Sequence, residues 1–205
     1  MSIVSYNNRS ISSITAIPGT AKSLTHIKTL TASSDSTLSF VNGSSDVVLD
    51  STYPIYIFKF INMHPASDNS TFEVGFRDGS TDYDATKTTT FFWAYHDEAD
   101  SETSLGYLAS RDLAQGTGFT DLSGSVGNGG DESCSGELTL FNPSSTTFVK
   151  HFLSRSSLYE GSSYAMDVHT GGYCNVTAAI DAVQFKFSSG NVDAGTIKLY
   201  GLKDS

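Results

Sequence analysis

The sequence predicts an all-β protein: an antiparallel two-sheet β-sandwich of jelly-roll-like topology, preceded by an extended N-terminal arm. Three observations lead there. The 205 residues include 33 Ser, 22 Thr, 18 Gly, 13 Phe and 10 Tyr, and β-branched and aromatic side chains suit a pleated, half-buried surface while Ser and Gly fill turns. Apolar segments of strand length recur between Gly, Pro, Asn, Asp and Ser punctuation. A helical signal is confined to a hint of one turn at Ser110 to Gln115.

Residues 1–23 read as the arm and residues 24–205 as the sandwich domain. Ile3, Ile11, Ile14 and Ile17 stand singly in a Ser/Thr background with Asn7-Asn8-Arg9-Ser10 and Pro18-Gly19, too polar a mixture to build its own core. Strands are then expected at Leu24 to Leu30, Thr37 to Val41 and Val47 to Leu49. Tyr56 to Met63 is apolar on nearly both faces and reads as a central strand covered on both sides. In Thr71 to Arg77, Phe72, Val74 and Phe76 alternate with Glu73 and Arg77, the period of a strand with one wet face. Thr90 to Tyr95 follows, then Glu137 to Phe141, Thr147 to Arg155, Ala182 to Phe187 and Thr196 to Leu202, some eight to ten strands in all.

Composition narrows the function classes. The formal charge is -10, with 12 Lys and Arg scattered singly, and a nucleic-acid partner would need them clustered. No run approaches the roughly 18 to 20 apolar residues of a membrane-spanning helix, and Met1-Ser-Ile-Val-Ser-Tyr lacks a basic start and an apolar core. The chain is therefore expected to be soluble, made without a secretion signal, and to insert in no membrane. Cys134 and Cys174 have no partner at metal-ligand spacing, so free thiols are expected.

The residue types that bear chemistry do not assemble into a known motif. Asp78-Gly-Ser-Thr-Asp-Tyr-Asp84 offers three carboxylates to a hard cation but lacks the spacing and distal Glu of a calcium loop, and reads as an acidic hairpin turn. His96-Asp-Glu-Ala-Asp-Ser-Glu102 places four carboxylates beside an imidazole, yet consecutive carboxylates diverge and nothing apolar would raise one pKa. Trp93 and Tyr95 suit a sugar platform; as Phe91, Trp93 and Tyr95 share one strand face, core packing is the better expectation. The five His (26, 64, 96, 151 and 169) form no metal-binding pair, no Gly-x-Ser-x-Gly elbow is present, and Gly124 to Gly130 lacks the Lys of a phosphate loop and reads as a surface loop. No catalytic, cofactor-binding or metal residue is assigned.

Three segments carry a family resemblance. Asp50 to Pro65, Gly136 to Arg155, and Ile180 to Gly201 with its closing Gly-Thr-Ile-Lys-Leu-Tyr-Gly together resemble structural proteins of tailed bacteriophages, especially phages of marine bacteria. The resemblance spans most of residues 24 to 203. It implies a non-enzymatic virion component, a fibre, collar or tail-accessory subunit or a capsid decoration, made in the host cytoplasm and located in the virion. Expected partners are other virion proteins through the N-terminal arm and further copies in a homo-oligomer. The alternative is a carbohydrate-binding module that recognises a host-surface glycan.

Overall fold

The structure, a computed structural model, describes residues 24–203; the arm expected at residues 1–23 lies outside them. The described residues contain twelve strands and no helix: β1 (Leu24–Thr31), β2 (Leu38–Val41), β3 (Ile55–Pro65), β4 (Ser70–Arg77), β5 (Lys87–Asp97), β6 (Thr103–Tyr107), β7 (Thr120–Val126), β8 (Cys134–Phe141), β9 (Lys150–Glu160), β10 (Tyr164–Cys174), β11 (Ala182–Phe187) and β12 (Val192–Leu202). Every strand ladder is antiparallel, and the strands form one connected sheet nearly closed into a barrel. An eight-strand run, β1-β12-β3-β8-β9-β10-β5-β6, meets a four-strand run, β7-β4-β11-β2, through a single residue pair between β7 and β9, Val126 with Glu160.

The core lies between the two runs and is largely aromatic. From β3, Phe58 reaches Phe185 of β11 at 5.4 Å between centroids and Phe60 reaches Phe72 of β4 at 5.2 Å; from β9, Phe152 meets Phe76 of β4 at 4.9 Å. Each such pair adds roughly 1 kcal/mol beyond the area it buries. Period-two burial delivers these rings inward while Lys59, Arg155 and their neighbours point out.

The two glycines that bound the closing motif have separate physical causes. Gly195 sits at φ 123°, in the irregular register where β12 leaves β3, a conformation open chiefly to glycine. At Gly201 a Cβ would lie 2.4 Å from the Tyr53 ring, so the missing side chain is what lets Tyr53 cover the strand.

The outer face of the four-strand run is covered. Phe119 and Tyr83 lie where a Gly75 side chain would project, and Lys186 stands 4.5 Å over the Phe119 ring. Arg111 donates to Asp121, Thr71 and Ser125, pinning the loop before β7. Burial pushes the carboxyls of Asp121 and Glu73 up, opposed by the nearby Arg111 and Lys186.

Several expectations are corrected. β3 is central, yet of Tyr56 to Met63 only Tyr56, Phe58, Phe60 and Met63 are sealed; Lys59 and Ile61 are exposed, because no described residue covers the outer face of the eight-strand run at these positions. Ser110 to Gln115 forms no helical turn: Leu113 O accepts from the Thr89 N–H, the Leu113 N–H donates to the Thr89 hydroxyl, and Gly116 exchanges backbone hydrogen bonds with Lys87, drawing the segment along β5. Val47 and Leu49 are buried in a loop outside any strand. Gly124 to Val126 belongs to β7 rather than to a loop, with Met166 occupying the space a Gly124 side chain would need. β6, β7 and β10 were not foreseen, which raises the number of strands to twelve.

Candidate functional site

Among the described residues the outer face of the eight-strand run exposes Ile61, Phe92, Leu105, Tyr107 and Leu153. Its registers align one row of side chains across seven strands: Tyr107 of β6, Phe92 of β5, His169 of β10, Arg155 of β9, Glu137 of β8, Lys59 of β3 and Lys198 of β12. Neighbours in the row, or one pair along, bond to each other. The Phe92 ring stacks on the His169 imidazole at 4.8 Å with the planes 5° apart. Arg155 Nε and Nη2 donate to the two Asp167 carboxylate oxygens at 3.0 and 2.7 Å; this bidentate pairing holds the Asp167 carboxyl below the usual range and raises Arg155. His169 Nε2 lies 3.5 Å from the same carboxylate, and Lys59 Nζ donates to Glu137 at 2.8 Å.

A depression lies on each side of the row. One, of about 360 Å³, is lined by Phe92, Glu137, Phe141, Leu153, His169 and Gly171. The other, of about 490 Å³, lies among Lys59, Ser135, Gly136, Glu137, Arg155 and Asp167. Leu153 is 60% exposed and Leu105 76%, so this sheet face presents apolar surface directly to water. Such a surface offers ring faces and hydrogen-bond donors to a partner.

The residues singled out in the sequence fall elsewhere or are tied up. The Asp78 to Asp84 turn is closed by Ser80, which donates to Asp82 O and Asp84, and the charge of Asp78 acts on the buried Lys87 and Lys150. Among the described residues no group of three His, Cys, Asp or Glu could hold a metal. The Asp97 carboxylate caps the β5–β6 turn by accepting from the Ser101 hydroxyl and the backbone N–H of Ser101 and Glu102, which holds it below the usual carboxylate range. Trp93 faces inward against the core, 5.2 Å from Tyr95, with its indole over Gly106; the outward aromatic is its neighbour Phe92. Cys134 and Cys174 are free and buried, and burial drives both thiols up, Cys174 to about 12.

Two features were not singled out in the sequence. Lys87 and Lys150 are fully buried on either side of Cys174, each bonded to a carbonyl, Ala85 O and Val176 O, and burial lowers both ammonium pKa values. The outer-face row was partly visible, since His151, Leu153 and Arg155 occupy every second position of one segment. Its assembly across seven strands depends on register, which one strand's period does not encode. No protein-family profile, curated protein or solved structure matches the chain.

Proposed function

We propose that the chain is a non-enzymatic structural subunit of a tailed-bacteriophage particle, a fibre, collar or tail-accessory protein or a capsid decoration, working by protein–protein assembly. In this proposal the two runs are the layers of a jelly-roll-like sandwich, copies pack as a homo-oligomer in the virion, and residues 1–23 attach the domain to a neighbouring virion protein. The observation that carries it is the meeting of the segments that resemble phage structural proteins. Asp50 to Pro65 supplies β3, Gly136 to Arg155 supplies most of β8 and the first part of β9, and Ile180 to Gly201 supplies β11 and most of β12; four of these five strands stand as adjacent neighbours, β12-β3-β8-β9, and the fifth, β11, meets β3 across the core through Phe185 and Phe58.

Edge geometry supports attachment next to the arm. β1 follows residue 23 directly and, among the described residues, stands at one end of the strand order beside β12, the kind of position at which strands from neighbouring chains add to a sheet. A variant lacking residues 1–23 is expected to fold with an unchanged melting temperature and to be missing from assembled particles. Its incorporation at normal copy number would contradict the attachment.

A second function, recognition of a host-surface glycan, is favoured by the outer-face row, which sets the Phe92 and Tyr107 rings in one line with the donors of Arg155 and Lys59, two and four strands from Phe92. In this proposal the sugar site lies there rather than at Trp93. Saturable glycan binding that Phe92→Ala abolishes and Trp93→Phe leaves intact is the expected result; loss with Trp93→Phe alone would return the site to the indole.

A further inference from the structure

We infer that Asn128-Gly129, in the loop between β7 and β8, is a site of spontaneous modification: the Gly129 nitrogen closes on the Asn128 side-chain amide with Glu132 as the base, and residue 128 becomes aspartate or isoaspartate. The sequence holds two Asn-Gly pairs, Asn42-Gly43 and Asn128-Gly129. Glycine makes such a pair reactive, since without a Cβ its nitrogen approaches the preceding side chain unhindered.

The first ground is a base in place. The Gly129 N–H donates to Glu132 Oε2 at 2.6 Å, within the reach a general base needs of the proton it removes. The loop is built around that carboxylate. A Cβ on Gly127 would lie 2.6 Å from Glu132 Cδ, and one on Gly129 would lie 2.9 Å from both Cδ and Oε2, so the two glycines leave the space it fills. The Glu132 N–H donates back to Gly129 O at 3.0 Å, fixing the turn that brings the base to the nitrogen. Asn128 itself is exposed, so water reaches its amide.

The second ground is the contrast with the other pair. The Gly43 N–H donates to Val47 O at 2.9 Å, a carbonyl that takes no proton, and Asn42 Oδ1 accepts from the Leu49 N–H at 2.9 Å, which ties that side-chain amide across its own loop. The Asn128 amide is held only by a 3.4 Å bond from Nδ2 to Ala66 O, at the weak limit of such bonds, and turns toward the Gly129 nitrogen at little cost.

The step consumes only water. Glu132 takes the Gly129 amide proton as the nitrogen forms its bond to Asn128 Cγ; the Cγ–Nδ2 bond breaks, Nδ2 receives that proton and leaves as ammonia, and a succinimide ring remains. Water then opens the ring, its hydroxyl going to one carbonyl carbon and its proton to the nitrogen. Opening at Cγ leaves aspartate, and opening at the main-chain carbonyl leaves isoaspartate, whose backbone path is one carbon longer.

The position gives the change a consequence. Val126 pairs with Glu160 in the single residue pair that joins β7 to β9, and so the two runs. Gly127 packs so closely on the turn after β9 that a Cβ would come within 2.9 Å of Gly161 Cα, and the Asn128 N–H donates to Asp68 Oδ1 at 3.3 Å. A carboxylate at position 128 stands beside those of Asp68 and Glu132, and like charges in contact repel. The modification therefore loosens the joint between the runs as the protein ages.

The test incubates the full-length protein at neutral pH over days, folded and in urea, and follows both Asn-Gly peptides by mass spectrometry, with isoaspartyl methyltransferase labelling to count isoaspartate. In the folded protein residue 128 is expected to convert at least as fast as in urea, and residue 42 about tenfold more slowly or less; in urea the two convert at similar rates. Glu132→Gln, which keeps an acceptor for the Gly129 N–H and removes the base, is expected to slow the folded conversion about tenfold or more. The melting temperature of the parent is expected to fall as residue 128 converts, and that of Asn128→Gln to stay constant. Faster conversion in Glu132→Gln, or slower conversion of residue 128 folded than in urea, would make the Gly129 to Glu132 bond a restraint and overturn the inference. If melting curves show that Glu132→Gln does not fold, the parent compared folded and unfolded decides alone. A melting temperature that stays constant while the parent converts would overturn the loosening of the joint.

Discussion

The ring of Phe92 lies flat against the imidazole of His169, centroids 4.8 Å apart and planes 5° from parallel. Its neighbour Phe91 points the other way and is sealed in the core. The two adjacent residues therefore divide between the outer face and the core. Phe91→Ala is expected to cost about 3–5 kcal/mol, and Phe92→Ala about 1 kcal/mol or less, as read from urea unfolding. Equal costs would mean that the two faces of β5 are wrongly assigned.

Gly136, the third residue of β8, pairs with Ser156 of β9 at close range. A Cβ there would meet the Arg155 carbonyl oxygen at 2.2 Å and the Ser156 Cα at 2.8 Å, both backbone atoms with no rotamer to retreat into. Gly136→Ala is expected to lose about 3 kcal/mol or more. A melting temperature within a degree of the parent would show that the two strands are not held this close.

Lys87 provides a pH-dependent test. Burial lowers its pKa from 10.5, so at neutral pH the buried charge opposes folding. As pH rises toward the unfolded value the folded state releases its proton first, and that opposition fades. Lys87→Met is therefore expected to be more stable than the parent by about 1 kcal/mol or more at pH 7, with the gap closing as pH approaches 10. A less stable variant at pH 7 would show that the bond from Nζ to Ala85 O outweighs the burial of charge.

The thiols test the core itself. Cys134 and Cys174 are both buried, with thiols driven well above the ordinary value of 9.0, so neither forms thiolate near pH 8. Folded protein is expected to resist a thiol-labelling reagent at that pH, and both residues to label once denatured. An unfolded Cys174 ionises near 9 while the folded one holds its proton to about 12; its contribution to stability is complete below pH 9 and declines across that interval. Rapid labelling of native protein would contradict the packing around β8 and β10.

The sequence revealed the all-β class and one face of most strands, because period-two alternation is local: Phe72, Val74 and Phe76 were placed inward from their spacing alone. It misled at β3, where Ile57 and Ile61 suggested cover on both sides and the structure leaves the outer face open. β10 escaped notice because Gly171 and Gly172 interrupt its apolar pattern; both occupy close approaches, Gly171 beneath Leu153 and Gly172 against the Thr88 carbonyl. The row from Tyr107 to Lys198 draws one residue from each of seven strands, and only register brings it together. The Trp93 indole attracted attention by its rarity, whereas the outward partner in the structure is the commoner Phe92.

The most direct test is a reconstruction of the whole phage particle at a resolution that traces strands. The expected result is multiple symmetric copies of this twelve-strand domain in the capsid, collar or tail, joined to a neighbouring virion protein through residues 1–23, with the face bearing Phe92, Arg155 and Lys59 turned to solvent. Particles that are complete and infectious without the chain would contradict the proposed structural role.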